Sequence, residues 1–91
     1  MNLEWKKIET GPGTWWQAKS LESESFRLPT LQELKDADNK GVPGFEGSYF
    51  WTNDDKEGDW EMAWYYVFGS KQCGTLHKNM YLCIRLCKEI K

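Results

Sequence analysis

The segment Pro29-Thr30-Leu31-Gln32-Glu33-Leu34 limits what this chain can fold into more than any other, because it fixes where a helix begins. Thr30 and Glu33 stand three apart. The Thr30 hydroxyl can therefore accept from the backbone N–H of residue 33, while the Glu33 carboxylate reaches back to the N–H of residue 30. Leu31, Leu34 and Ala37 then share one face, which a core must cover. Asp38-Asn39-Lys40-Gly41 reads as a terminating cluster, and Val42-Pro43-Gly44 bars continuation. One short helix starting near Thr30 is expected.

On either side the signals are those of strands. Leu3 to Ile8 has its apolar residues at 3, 5 and 8, the pattern of a frayed strand, and Gly11-Pro12-Gly13 reads as a turn. Thr14-Trp15-Trp16-Gln17-Ala18 has the β-branched and aromatic character of a second strand, followed by a polar loop from Lys19 to Ser25. After Ser48 come Tyr49 to Thr52, Met62 to Phe68, Cys73 to Leu76 and Met80 to Cys87. Asn53 to Asp59 reads as an acidic loop, Gly69-Ser70 as a two-residue hairpin turn, and Leu76 to Asn79 as the last turn. In the final strand Leu82, Ile84 and Leu86 share one face, with Cys83, Arg85 and Cys87 on the other. Helical crossovers between successive strands are missing, so the class is α+β with a mainly antiparallel sheet.

The 91 residues leave room for one domain, spanning 1–91, and a chain this short needs bulky side chains to fill its core. Six Trp, four Tyr and four Phe supply them, with a surplus to spare for the surface. A formal net charge of −2 gives no drive towards a phosphate backbone, so nucleic acid is not an expected partner. No run approaches the roughly 18 apolar residues of a membrane span, and Met1 to Lys7 has no apolar run behind it, so it does not read as a secretory signal. Cys73, Cys83 and Cys87 are odd in number and read as reduced thiols, which points to the cytoplasm. If the chain is instead the mature piece of a secreted protein, one pair would bridge across a hairpin and one thiol would remain.

Four segments together resemble a bacterial domain-of-unknown-function family that also forms the C-terminal domain of collagen-like adhesins. Its pattern is an aromatic followed by RLPT and a helix with Glu-Leu, then a YWSS-like strand, then AWY ending in Phe and a Gly turn, then RCVR. Here these read Phe26-Arg27-Leu28-Pro29-Thr30 with Glu33-Leu34, Tyr49-Phe50-Trp51-Thr52, Ala63-Trp64-Tyr65-Tyr66-Val67-Phe68-Gly69, and Leu82-Cys83-Ile84-Arg85. The resemblance runs from Phe26 to about Cys87 and implies a C-type-lectin-like fold, with the N- and C-terminal strands together and ligands met on irregular loops. The helix with an upstream Cys that family members often carry before RLPT is missing or shortened here, so the usual partner of Cys83 is absent. The fold is also similar to that of sulfatase-modifying enzymes, a likeness of fold and not of function.

Among candidate sites, Arg27 and Arg85 are the charged residues inside the motifs, and together with Thr30 and Glu33 they are expected to hold structure, through acidic or carbonyl partners. Asn53, Asp54, Asp55, Glu57 and Asp59 offer hard oxygens where lectins of this fold bind calcium, with Asn53, Asp54 and Asp55 the weak candidates, and a solvated turn is the competing explanation. Cys73, His77, Cys83 and Cys87 are zinc-binding residue types, but they contain no close C-x-x-C pair, so no metal is expected from them. No Ser/His/Asp set, phosphate loop or paired carboxylate proposes an enzyme, and no cofactor is expected. Trp51, Trp64, Tyr66 and Phe68 alternate into the expected core. Trp15 and Trp16, adjacent on a strand, would point to opposite faces. Whichever faces outward forms a binding platform with Trp60 and Tyr65, unless these pack as a second small cluster. The expected role is a small non-enzymatic binding module, acting on a protein partner or by self-association through exposed aromatics, with a small size that suits phage or mobile-element origin. A carbohydrate-binding or adhesin-type domain is the alternative, and an enzyme related to the sulfatase-modifying fold a further one.

Overall fold

The computed structural model describes residues 3–6, 10–45 and 49–90, with Thr10 and Gly11 described in their backbone alone. Its elements in chain order are β1 (Leu3–Trp5), β2 (Thr10–Gly13), α1 (Trp15–Ser20), α2 (Leu31–Lys40), β3 (Tyr49–Lys56), β4 (Asp59–Val67), β5 (Gln72–His77), β6 (Leu82–Ile84) and β7 (Cys87–Glu89). The strands form a two-stranded sheet, β1-β7, and a five-stranded sheet in the order β2-β6-β3-β4-β5. Among the described residues all strand pairs are antiparallel except β3 with β6, which is parallel. The fold is thus a small α+β unit with a mixed sheet, and its Cα radius of gyration of 12.0 Å is that of a fully packed chain of this length.

The capping box at Thr30 forms as its residues dictate: Thr30 Oγ1 accepts from Glu33 N–H at 3.1 Å, and Glu33 Oε1 accepts from Thr30 N–H at 2.8 Å. α2 runs further than its terminating cluster implied, taking in Asp38, Asn39 and Lys40 before Gly41 ends it in the left-handed conformation at φ 69°. Leu34 and Ala37 are buried, whereas Leu31 is only half-buried.

Thr14 to Ala18 is a helix start and not a strand. Thr14 Oγ1 accepts from Gln17 N–H at 3.1 Å, and Gln17 Oε1 accepts from Thr14 N–H at 2.8 Å. This second capping box outweighs the strand preference of two Trp residues, so the described residues hold two short helices where one was expected. Gly11-Pro12-Gly13 lies in β2 and does not turn; Pro12, which has no N–H to donate, is tolerated because β2 is an edge strand. Of the Leu3 to Ile8 segment, β1 takes Leu3–Trp5, and Lys7 and Ile8 lie outside the described residues, as does Ser48.

The acidic stretch is also not a loop. Asn53 to Lys56 continue β3, and the reversal is confined to Glu57-Gly58, with Gly58 at φ 83°. The turn after β4 spans Phe68 to Lys71, wider than a two-residue hairpin, with Gly69 at φ 88° and Lys71 at φ 62°. The stretch from Met80 to Cys87 splits into β6 and β7, which belong to different sheets. Its simple alternation fails at the split: Ile84, Arg85, Leu86 and Cys87 are all buried in succession.

Both faces of the larger sheet are covered, because adjacent residues of β3 enter different cores. Trp51 packs with Trp15, Ala18, Leu28, Ala63, Ile84 and Leu86. Phe50 packs with Leu34 and Tyr66, with Phe45 and Phe68 against them. Trp64 and Phe68, expected inside, are half-buried. The Trp51 indole N–H donates to the Gly13 carbonyl at 3.1 Å, and Gly13 itself is packed so tightly that a Cβ there would stand 2.9 Å from Gln17 Oε1.

Candidate functional site

Helix geometry, not strand alternation, sets the two adjacent Trp residues apart. Successive residues of a helix diverge by about 100°, so Trp15 turns into the core at 6% exposure while Trp16 stays 44% exposed. The Trp15 indole N–H donates to the Thr52 carbonyl at 2.8 Å, which fixes α1 against β3. Trp16 meets Trp15 edge to face at 5.3 Å and lies 6.3 Å from Trp60, which is 70% exposed at the start of β4.

Lys78 locks this cluster from below. Its backbone N–H donates to the Glu61 carbonyl at 2.8 Å, and its own carbonyl accepts from Trp15 N–H at 2.9 Å. The side chain is buried, with the ammonium 4.0 Å from the Trp15 ring centroid, 4.8 Å from that of Trp16 and 3.3 Å from Asp55 Oδ1. A cation held between two indole faces and a carboxylate is attracted to all three. Trp16 therefore has one side held by Trp15 and Lys78 and the other directed towards Trp60.

The expected platform was Trp60, Tyr65 and whichever of Trp15 and Trp16 faces outward; the outward one is Trp16, which comes together with Trp60, while Tyr65 is elsewhere. Tyr65 is half-buried against the Trp51 cluster and pairs with the exposed Tyr49 at 5.4 Å. Lys78 was not legible as part of the cluster, since it lies in a turn and nothing local in sequence ties it to Trp15.

The motif residues hold structure. Arg27 Nη1 and Nη2 donate to the two Glu33 oxygens at 2.8 Å each, and Nη2 also meets Glu89 at 3.1 Å. Burial pushes the Glu33 carboxyl upwards, but the Arg27 and Thr30 hydrogen bonds outweigh it and leave the group below the ordinary carboxylate range. Arg85 is buried, with Nε donating to the Lys6 carbonyl at 2.9 Å and Nη1 to the Pro43 carbonyl at 2.8 Å. Its guanidinium lies 4.4 Å from the Phe45 ring centroid, so Arg85 ties the loop after α2 to the segment after β1.

The calcium candidates are separately employed. Asn53 Oδ1 accepts from Lys19 Nζ at 2.8 Å, Asp54 Oδ2 accepts from the first amide of α2, Leu31 N–H, at 2.7 Å, and Asp55 faces Lys78. Asp54 thus caps a helix that is distant in sequence, where a carboxylate is favoured by the helix dipole. Among the described residues no group of three or more His, Cys, Asp and Glu is placed to hold a metal ion. His77 meets Glu61 at 3.0 Å, Cys73 is exposed, and Cys87 is buried beside Arg27, with burial the main reason its thiol is pushed up to about 12.

A groove of about 530 Å³ lies between β1, α2 and the chain after β7, lined by Leu3, Trp5, Ala37, Val42 and Ile90 with Glu33 on its wall. Its one motif carboxylate is already occupied by Arg27. No described helix is long and apolar enough to cross a membrane. No protein-family model and no curated protein sequence matches the chain.

Proposed function

We propose that the chain is a small non-enzymatic binding module of C-type-lectin-like fold that meets a protein partner through Trp16 and Trp60. The observation that carries this reading is the pair itself: two exposed indoles 6.3 Å apart, one braced by buried Trp15 and Lys78. An exposed Trp ordinarily costs free energy in water, and one held rigid loses little further entropy when a partner covers it. Such residues are the usual anchors of protein interfaces.

The fold assignment draws support from the pairing of β1 with β7, which brings the two ends of the chain together, and from helix α2 starting at the RLPT segment. A cytoplasmic setting is part of this reading and rests on the odd number of cysteines, three, which cannot all pair within one chain.

Pull-down with the wild-type chain as bait, compared with the double variant Trp16→Ala/Trp60→Ala, tests the proposal. The expected result is a protein retained by the wild type and lost from the variant; equal retention by both would remove the indoles from the interface. The Trp60 face also suits a sugar ring, so glycan-array binding that survives chelation of calcium would favour the carbohydrate reading instead.

A further inference from the structure

The two sides of the five-stranded sheet end differently. On the β2 side, Pro12 and a register shift between Thr10 and Gly13 interrupt the strand, which blunts that edge against further pairing. On the β5 side, Gln72–His77 contains no Pro, Lys, Arg, Asp or Glu, and no described strand lies beyond it. That edge lacks the usual protection.

The direction of its backbone groups follows from one hydrogen bond. Lys78 N–H donates to the Glu61 carbonyl, and the β4–β5 register continues through Met62–His77, Ala63–Leu76, Trp64–Thr75 and Tyr65–Gly74. Bonded and non-bonded pairs alternate along an antiparallel ladder. Leu76, Gly74 and Gln72 therefore turn their N–H and C=O groups towards β4, while Cys73, Thr75 and His77 turn theirs outward. The His77 carbonyl already accepts from Met80 N–H at 3.0 Å and keeps a second lone pair. The outward groups are spaced evenly about Thr75.

We propose that two copies of this chain pair antiparallel through β5, about a twofold axis at Thr75, to make one continuous sheet. Thr75 then faces its twin, and Cys73 exchanges backbone hydrogen bonds with His77 of the partner subunit. Leu76 comes opposite Gly74 of the partner subunit in a non-bonded pair, where side chains approach most closely. Within each chain the Tyr65 ring lies over Gly74, its hydroxyl 3.0 Å from where a Cβ would stand. Half-buried Leu76 therefore lands beside the partner's Tyr65 and covers it. A second copy is the fitting occupant because the edge is complementary to itself in both backbone direction and side-chain relief, as a twofold interface requires. This contact is separate from Trp16 and Trp60.

Sedimentation equilibrium in reducing buffer tests it, with wild type expected to dimerise with concentration. Thr75→Pro removes an outward N–H and leaves the β4–β5 ladder intact, so it should weaken the dimer roughly tenfold or more. Trp16→Ala/Trp60→Ala should leave dimerisation unchanged. His77→Cys sets a new thiol opposite Cys73 of the partner subunit at a Cα separation of about 5.5 Å, within disulfide reach, so mild oxidation should give a dimer linked between positions 73 and 77. The proposal is overturned if the wild type stays monomeric at millimolar concentration or Thr75→Pro dimerises as well as wild type. It also fails if the oxidised link joins only position 73 to position 73, or if the indole variant abolishes the dimer.

Discussion

The Arg27 guanidinium and the Glu33 carboxylate lie side by side, the two terminal nitrogens, Nη1 and Nη2, each donating across 2.8 Å to a different carboxylate oxygen. The same Glu33 completes the α2 capping box, so one side chain joins the helix start to the bridge residue Arg27 just ahead of it. Arg27 in turn pairs with Cys87 through both backbone hydrogen bonds, at 2.8 and 2.9 Å, and meets Glu89 on β7.

Glu33→Gln keeps an acceptor for the Thr30 amide but loses the charge at the fork. Urea unfolding should show a loss of about 1.5–3 kcal/mol at neutral pH. The pH dependence has a definite sign. Because the folded Glu33 carboxyl sits below its ordinary value, its contribution is complete above the unfolded pKa and is lost as pH falls through the lowered folded one. Wild type should therefore lose stability on acidification below the ordinary carboxylate range more steeply than Glu33→Gln. Parallel acid limbs for the two proteins would show that the pair does not contribute.

Lys78 offers a test of what a buried ammonium does between two indoles. Its partner Asp55 is solvent-exposed, so removing the charge leaves no buried anion behind. Lys78→Met should thus cost about 1 kcal/mol, the scale of the cation–π attraction, since the chain still fills the space. Lys78→Ala should cost more, about 2–3 kcal/mol, because it opens a void against Trp15. Thermal unfolding separates the two, and equal losses would mean that charge, not packing, is what matters there.

How much of this was legible depends on how far apart in sequence the deciding partners lie. The α2 start was, because Thr30 and Glu33 are local and their geometry is the same in any helix. α1 carried the same kind of signal in Thr14 and Gln17, masked by two aromatic residues that also suit a strand. Asn53 to Lys56 look like loop residues, yet they extend β3 because Lys19, Leu31 and Lys78 supply their partners from elsewhere in the chain. Such partners leave no local mark. The split between β6 and β7 has the same origin, since Arg85 is drawn inward to the carbonyls of Lys6 and Pro43.

The thiols of Cys73 and Cys87 should differ in reactivity. Cys73 is exposed on β5, whereas Cys87 is buried and its thiol is pushed up to about 12, chiefly by burial and against the opposing pull of Arg27. Only the thiolate attacks, so Cys87 should resist a maleimide at pH 8 until the protein unfolds, while Cys73 should be alkylated at once. Mass mapping of the labelled sites reads this directly. Prompt labelling of Cys87 in the folded protein would mean that the β1-β7 pair opens locally.

Four indoles, finally, should divide by burial and not by residue type. Trp15 and Trp51 are buried and hydrogen-bonded to Thr52 and Gly13, so truncating either to Ala removes a large packed surface and leaves a carbonyl unpaired. Each should lower stability by about 3–5 kcal/mol, enough to unfold a domain this small. Trp16→Ala and Trp60→Ala remove rings already in water and should stay within about 1 kcal/mol of wild type, with Trp16→Ala the costlier because Lys78 and Trp15 lose a neighbour. Denaturation monitored by circular dichroism checks the division. If Trp60→Ala proved as damaging as Trp15→Ala, Trp60 would be a structural residue and its availability to a partner would be lost as an argument.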